Sequence, residues 1–141
     1  PYFRNMKKPE IILLIDDDVD DQLYFREAIE EIKPACVCKI ANNGLEGLQQ
    51  IAASPLPDIV FFDLNMPIMN GYEFLENIKK NKQYHHIPVI IFTTSKNSAD
   101  IERCRLFGAS LYLTKPVDFA TLCTKLNSVF ELNFDSTAFM I

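Results

Sequence analysis

Residues 58–63 read Asp58-Ile59-Val60-Phe61-Phe62-Asp63, and the fold follows from how that stretch is interpreted. It is short, rich in β-branched and aromatic residues, and bounded by acids. Such a run predicts a strand. Unbroken apolarity, rather than alternation, predicts a strand covered on both faces, as in a parallel sheet. Four further runs have the same character, at 11–15, 36–41, 88–92 and 110–114. Between them lie segments with helical spacing of apolar residues. Residues 19–32 align Phe25, Ala28, Ile29 and Ile32; residues 44–53 align Leu45, Leu48, Ile51 and Ala52. Residues 71–82 carry Phe74, Leu75 and Ile78, and 98–107 carry Ile101, Cys104 and Phe107. The clearest stripe, in 118–131, is Phe119, Leu122, Cys123, Leu126, Val129 and Phe130. Gly108 suits a left-handed cap after the fourth helix. The order is βα, five times over. Parallel strands require long crossovers, and five units are too few for a closed barrel. The fold class is therefore α/β, a three-layer open sheet of five parallel strands.

A chain of 141 residues is one domain at about 150 residues per domain. Its 48% hydrophobic and 23% charged residues suit a globular core that needs no disulfide or zinc. The domain is expected over residues 10–131. Residues 1–9 form an N-terminal extension, with 1–5 set aside as a cloning remnant before Met6-Lys7-Lys8, and 132–141 form an apolar C-terminal tail. A net charge of −5 argues against nucleic-acid binding through a basic face. The apolar runs are too short for membrane insertion, and no signal-peptide core is present. Cys36, Cys38, Cys104 and Cys123 lack zinc or redox spacing and read as core thiols of a reducing, cytoplasmic compartment.

In open α/β sheets, ligands bind beyond the carboxyl ends of the strands. Asp16, Asp17 and Asp18 follow the first strand and Asp63 the third. Thr93, Thr94 and Ser95 follow the fourth, and Lys115 the fifth. Two carboxylates about 4 Å apart repel by roughly 4 kcal/mol at an effective dielectric near 20. Asp16, Asp17, Asp63 and Lys115 together carry −2, which a divalent cation balances. Hard oxygen donors favour Mg²⁺, with Mn²⁺ as a substitute. The Thr93 hydroxyl, the Thr94 backbone N–H and the Lys115 ammonium suit a phosphoryl guest. Asp63 is placed to accept that group as an aspartyl phosphate. Asp18, Asp20 and Asp21 are assigned to the positive end of the first helix.

With these residues in place, the chain resembles the receiver domain of two-component response regulators. The resemblance rests on Ile12 to Asp17, on Phe62-Asp63-Leu64-Asn65-Met66-Pro67 with Asn70-Gly71, on Pro88 to Thr93, and on Gly108-Ala109 with Thr114-Lys115-Pro116. It implies the flavodoxin-like strand order 2-1-3-4-5. It implies transfer of a phosphoryl group to Asp63 from a sensor histidine kinase or a histidine phosphotransfer protein. It further implies Mg²⁺ held by Asp17, Asp63 and the main-chain carbonyl of Asn65, with Asp16 acting through water. Thr93 and Tyr112 correspond to switch positions, and Asn65 and Ser95 to positions that tune hydrolysis. No separate substrate turnover is expected: the signal leaves through a downstream protein target, and the tail is a candidate homodimer contact. A haloacid-dehalogenase-type phosphatase would need a second acid where Asn65 stands. A receiver-shaped module that is never phosphorylated is the other alternative.

Overall fold

The structure is a computed structural model that describes residues 10–53, 55–66 and 69–132. Ten elements alternate: β1 Ile11–Ile15, α1 Val19–Ile32, β2 Val37–Ala41, α2 Gly44–Ala52, β3 Ile59–Phe62, α3 Gly71–Lys80, β4 Val89–Thr93, α4 Ser98–Leu106, β5 Leu111–Thr114 and α5 Phe119–Phe130. The sheet is parallel throughout, in the order β2-β1-β3-β4-β5. The expected extension over residues 1–9 and most of the tail lie outside the described residues.

The period of two along each strand separates the core into two layers. Leu13, Ile15, Val60, Phe62, Val89, Ile91 and Tyr112 face one side and meet Ile51, Phe74, Leu75, Ile78 and Cys104 from α2, α3 and α4. Ile12, Leu14, Phe61, Ile90, Phe92, Leu111 and Leu113 face the other side and meet α1 and α5. There Phe61 packs edge to face with Phe25, Phe92 and Phe130, and Phe25 meets Phe92 at a tilt, with ring centroids 5.0 to 6.2 Å apart. Burying each such side chain contributes on the order of 2 kcal/mol. The edge strand β2 departs from the expected two-sided cover: Val37 is exposed and only Ala41 is fully buried.

Every helix among the described residues begins on an Asx cap. Asp18, Asn43, Asn70, Asn97 and Asp118 each accept a backbone N–H of the first turn, and Asn70 forms a capping box with Glu73. Gly108, at φ 97°, ends α4 in a left-handed turn as expected. Its N–H donates to Arg105 and that of Ala109 to Cys104, the paired bonds of a Schellman motif.

Two expectations need correction. The second helix does not pack through Leu45 and Ala52, which are exposed; its buried residues are Gly44, Gly47 and Ile51. A Cβ on Gly47 would come within 2.3 Å of the Ile15 Cδ1 atom, so the helix approaches the sheet through a glycine that apolar periodicity cannot register. Of the four thiols, only Cys104 is a fully buried core residue; Cys36, Cys38 and Cys123 are half-buried.

Candidate functional site

The chain leaves β1 for α1 and then β2 on one side, and returns to β3 on the other. The strand order therefore reverses beside β1, and a crevice opens where β1 and β3 end. Pairing continues one step past both strands: the Asp63 N–H donates to Ile15 O at 3.1 Å and the Asp16 N–H to Ala41 O at 3.0 Å. That places the two acids side by side. On the far side, the Lys115 N–H donates to Thr93 O at 2.7 Å, extending β5 past its last residue.

Lys115 reaches across the strand tips. Its Nζ donates to Asp16 Oδ2 at 2.7 Å, to Asp63 Oδ2 at 3.0 Å and to Asp21 Oδ2 at 2.7 Å. The amine side chain is 9% exposed, Asp16 0% and Asp63 13%. Burial works against the ammonium, but the hydrogen bonds to Asp16 and Asp21 and the field of Asp63 outweigh it and lift the Lys115 pKa above its ordinary value. Asp16 is pushed up by burial, against the lowering effect of Lys115 and of the Asp18 N–H that donates to it. The pair is held by geometry: the Lys115 Nζ sits 2.7 Å from Asp16 Oδ2 in the interior.

The remaining predicted residues surround this centre. Asp17, next along the chain from Asp16, is exposed. Asn65 is exposed, and its N–H donates to Asp63 Oδ1 at 3.3 Å. Thr93 is fully buried, and its Oγ1 has no hydrogen-bond partner among the described residues. Thr94 is exposed at the first loop position. Ser95 points away from Lys115: its Oγ donates to Asp100 Oδ2 at 2.9 Å, and its carbonyl accepts the Tyr112 hydroxyl at 2.8 Å. Tyr112 is fully buried.

Sequence reasoning missed two participants. Asp21 was assigned to the helix N-terminus, yet its carboxylate contacts the lysine, and Asp18 alone is the cap. Its place three residues into α1, on the turn facing the strand tips, is the only signal that could have marked it. Asp100 of α4 is the second: it accepts from Ser95 and also from the Tyr72 hydroxyl of α3 at 2.9 Å. Arg103 lies 3.9 Å above the centroid of the Tyr72 ring and adds a cation–π contact to that strap.

Among the described residues, no group of three His, Cys, Asp or Glu side chains is arranged to cage a metal ion. Mg²⁺ does not demand one, because it takes one or two carboxylates and keeps several waters. The hard oxygens of Asp17, Asp63 and Asn65 fit that habit. Among the described residues, no helix is long and apolar enough to cross a membrane.

Comparison with known proteins agrees with this geometry. The family described as response regulator receiver domain matches residues 12–127. The chain is 38% identical to protein PilH of Pseudomonas aeruginosa over 117 residues, covering 83% of this chain and 95% of PilH. It is 34% identical to response regulator Rcp1 of Synechocystis, covering 76% and 77% of the two chains. It also matches sensor histidine kinase CheAY of Helicobacter pylori at 30% identity, but spans only 17% of that protein. Among solved structures, the phosphorylated cyanobacterial phytochrome response regulator RcpA superposes with a TM-score of 0.80 at 27% identity, over 92% of this chain and 96% of that one. The Mn²⁺-bound form of Rcp1 superposes at 0.77 and 26% identity, over 93% and 99%.

Proposed function

Because the chain belongs to the response regulator receiver domain family of two-component signalling, we propose that Asp63 is its phosphoacceptor. The donor is a phosphohistidine on a sensor histidine kinase or a histidine phosphotransfer protein. A carboxylate oxygen of Asp63 forms a bond to phosphorus as the phosphorus–nitrogen bond to the imidazole breaks, and the released imidazole nitrogen takes up a proton from solvent. The observation that carries this reading is the Lys115 ammonium at 3.0 Å from Asp63 Oδ2, anchored by buried Asp16. It supplies a fixed positive charge where charge accumulates on the phosphoryl oxygens.

Thr93 supports the same reading. A fully buried hydroxyl with no partner among the described residues costs about 1–3 kcal/mol of unrepaid desolvation. Such a cost is expected of a group reserved for a ligand oxygen. The Thr94 backbone N–H can receive a second oxygen. Asp17, Asp63 and the Asn65 carbonyl would hold Mg²⁺ (or Mn²⁺), with Asp16 acting through water; the ion would neutralise charge on the phosphoryl group. Exposed Asn65 and half-buried Ser95, whose hydroxyl is held by Asp100, would tune the access of hydrolytic water.

Phosphorylation shifts an existing equilibrium only through contacts that differ between its two states. Here those contacts are Thr93, Thr94 and Lys115, read out through Tyr112 and the α4–β5–α5 face to a downstream protein. No substrate other than the protein's own aspartate is turned over, and output through self-association would use the same face. Incubation with Mg²⁺ and acetyl phosphate, followed by intact-mass measurement, tests the assignment: one phosphate is expected on the protein and none on Asp63→Asn. Persistence of the adduct in Asp63→Asn would defeat it.

A further inference from the structure

An ammonium group has three N–H donors and no acceptor. In this site all three are taken by carboxylates, from Asp16, Asp21 and Asp63. Only one of those acceptors, Asp63, is the reacting group of the proposed phosphotransfer. Asp16 belongs to the acids that would share the metal. Asp21 belongs to neither set. It stands in the first turn of α1, its own N–H held at 3.0 Å by the Asp18 cap. Its carboxylate is 40% exposed and accepts from Lys115 at 2.7 Å, as close as Asp16 does.

We propose that Asp21 is a positioning residue for phosphotransfer, holding the Lys115 ammonium from the α1 side so that its remaining donor stays aimed at Asp63. This rests on the phosphoacceptor reading of Asp63. When a phosphoryl group arrives, the donor that contacts Asp63 moves to a phosphoryl oxygen while Asp16 and Asp21 keep the other two. With Asp21 gone, one anchor remains. The amine then swings about Asp16, and the probability of the productive orientation falls. Because its anchor is α1, the aim of the lysine depends on the helix that follows the first pair of acids.

The test uses the full chain, acetyl phosphate and saturating Mg²⁺, with Asp21→Ala and Asp21→Asn. Asp21→Ala is expected to phosphorylate about tenfold more slowly, the order that one charge-assisted hydrogen bond supplies. Asp21→Asn keeps an acceptor oxygen and is expected to recover part of the rate. Mg²⁺ affinity by calorimetry is expected to stay within about twofold, because Asp21 is outside the metal set. The Lys115 Nζ–H resonance, protected by three acceptors in the wild type, is expected to broaden by solvent exchange in Asp21→Ala. A merely structural role would move neither the Asn rescue nor that resonance. A wild-type rate in Asp21→Ala, or a rate loss explained wholly by weaker Mg²⁺ binding, would overturn the proposal alone. An unphosphorylated wild type would overturn this proposal and the phosphoacceptor reading together.

Discussion

The Tyr112 hydroxyl donates to the main-chain carbonyl of Ser95 at 2.8 Å, which ties the middle of β5 to the loop after β4. That loop follows Thr93, the last residue of β4, whose buried hydroxyl has no partner among the described residues. A tied loop and an idle hydroxyl thus adjoin, and a ligand oxygen that engages Thr93 must act on a loop already held by Tyr112. Tyr112→Phe keeps the ring in the core and removes only the tie. It is expected to cost about 1 kcal/mol in urea denaturation and to speed amide exchange across residues 94–97. Unchanged exchange there would show that the tie does not hold the loop.

Thr93→Val removes the idle hydroxyl while keeping the side-chain shape. The unphosphorylated protein is expected to gain about 1 kcal/mol, because a buried unsatisfied group is relieved. The aspartyl phosphate is expected to lose the response of Tyr112 that the hydroxyl couples to it. Urea midpoints of the unmodified variant, and tyrosine fluorescence with and without acetyl phosphate, give the two readouts. A variant less stable than the wild type would mean that the hydroxyl is satisfied in solution.

Lys115→Met leaves the fully buried Asp16 carboxylate without its cation. Burial already holds the Asp16 pKa above its ordinary value. A carboxyl with a raised folded pKa binds its proton more tightly in the folded state. Its contribution to stability therefore improves as pH falls through the folded value and is lost as pH rises through it. Loss of Lys115 widens that gap. The variant is expected to be about 3 kcal/mol less stable at pH 7, and the deficit is expected to shrink on acidification. Urea denaturation across the acid range checks the sign; a deficit that grows with acid would contradict it.

Cys104 is fully buried; burial, helped by the field of Asp100, pushes its thiol up to about 12. The thiolate is the reactive form. Iodoacetamide at pH 8 is expected to label half-buried Cys36 well before Cys104 in the folded protein. Equal labelling rates by peptide mass mapping would contradict that burial.

Gly47→Ala puts a methyl group against Ile15 and Phe74. Ile15 is fully buried and has little room to yield, so a loss of about 1–2 kcal/mol is expected. Thermal denaturation measures it, and an unchanged or raised midpoint would contradict the close approach of α2.

These last residues mark where sequence reasoning reaches its limit. The five strands and five helices were legible because long apolar runs and 3.6-residue stripes are local properties. Phe74, Leu75 and Ile78 are buried as their spacing predicts, as are Leu122, Leu126 and Val129. The strand order came from resemblance, since periodicity carries no neighbour information. The face of α2 was legible only in part: Leu48 and Ile51 pack on the core as expected, but Leu45 and Ala52 do not, because glycine contributes nothing to a hydrophobic stripe yet permits the nearest approach. The acids and lysine at the strand tips were legible because strand ends converge in any open parallel sheet. Asp21 and Asp100 were not, because each acts through a partner far along the chain: Lys115 is 94 residues from Asp21, and Tyr72 is 28 residues from Asp100. Short-range capping offered a sufficient, and incomplete, account of Asp21.

The most direct test of the central claim is chemical trapping of the acyl phosphate. Protein treated with acetyl phosphate and Mg²⁺ is reduced with borohydride, which converts an aspartyl phosphate to homoserine, and its peptides are then mapped by mass. The account predicts homoserine at position 63 alone, and none when Mg²⁺ is chelated. Homoserine at position 16, 17 or 21 with position 63 untouched would contradict it.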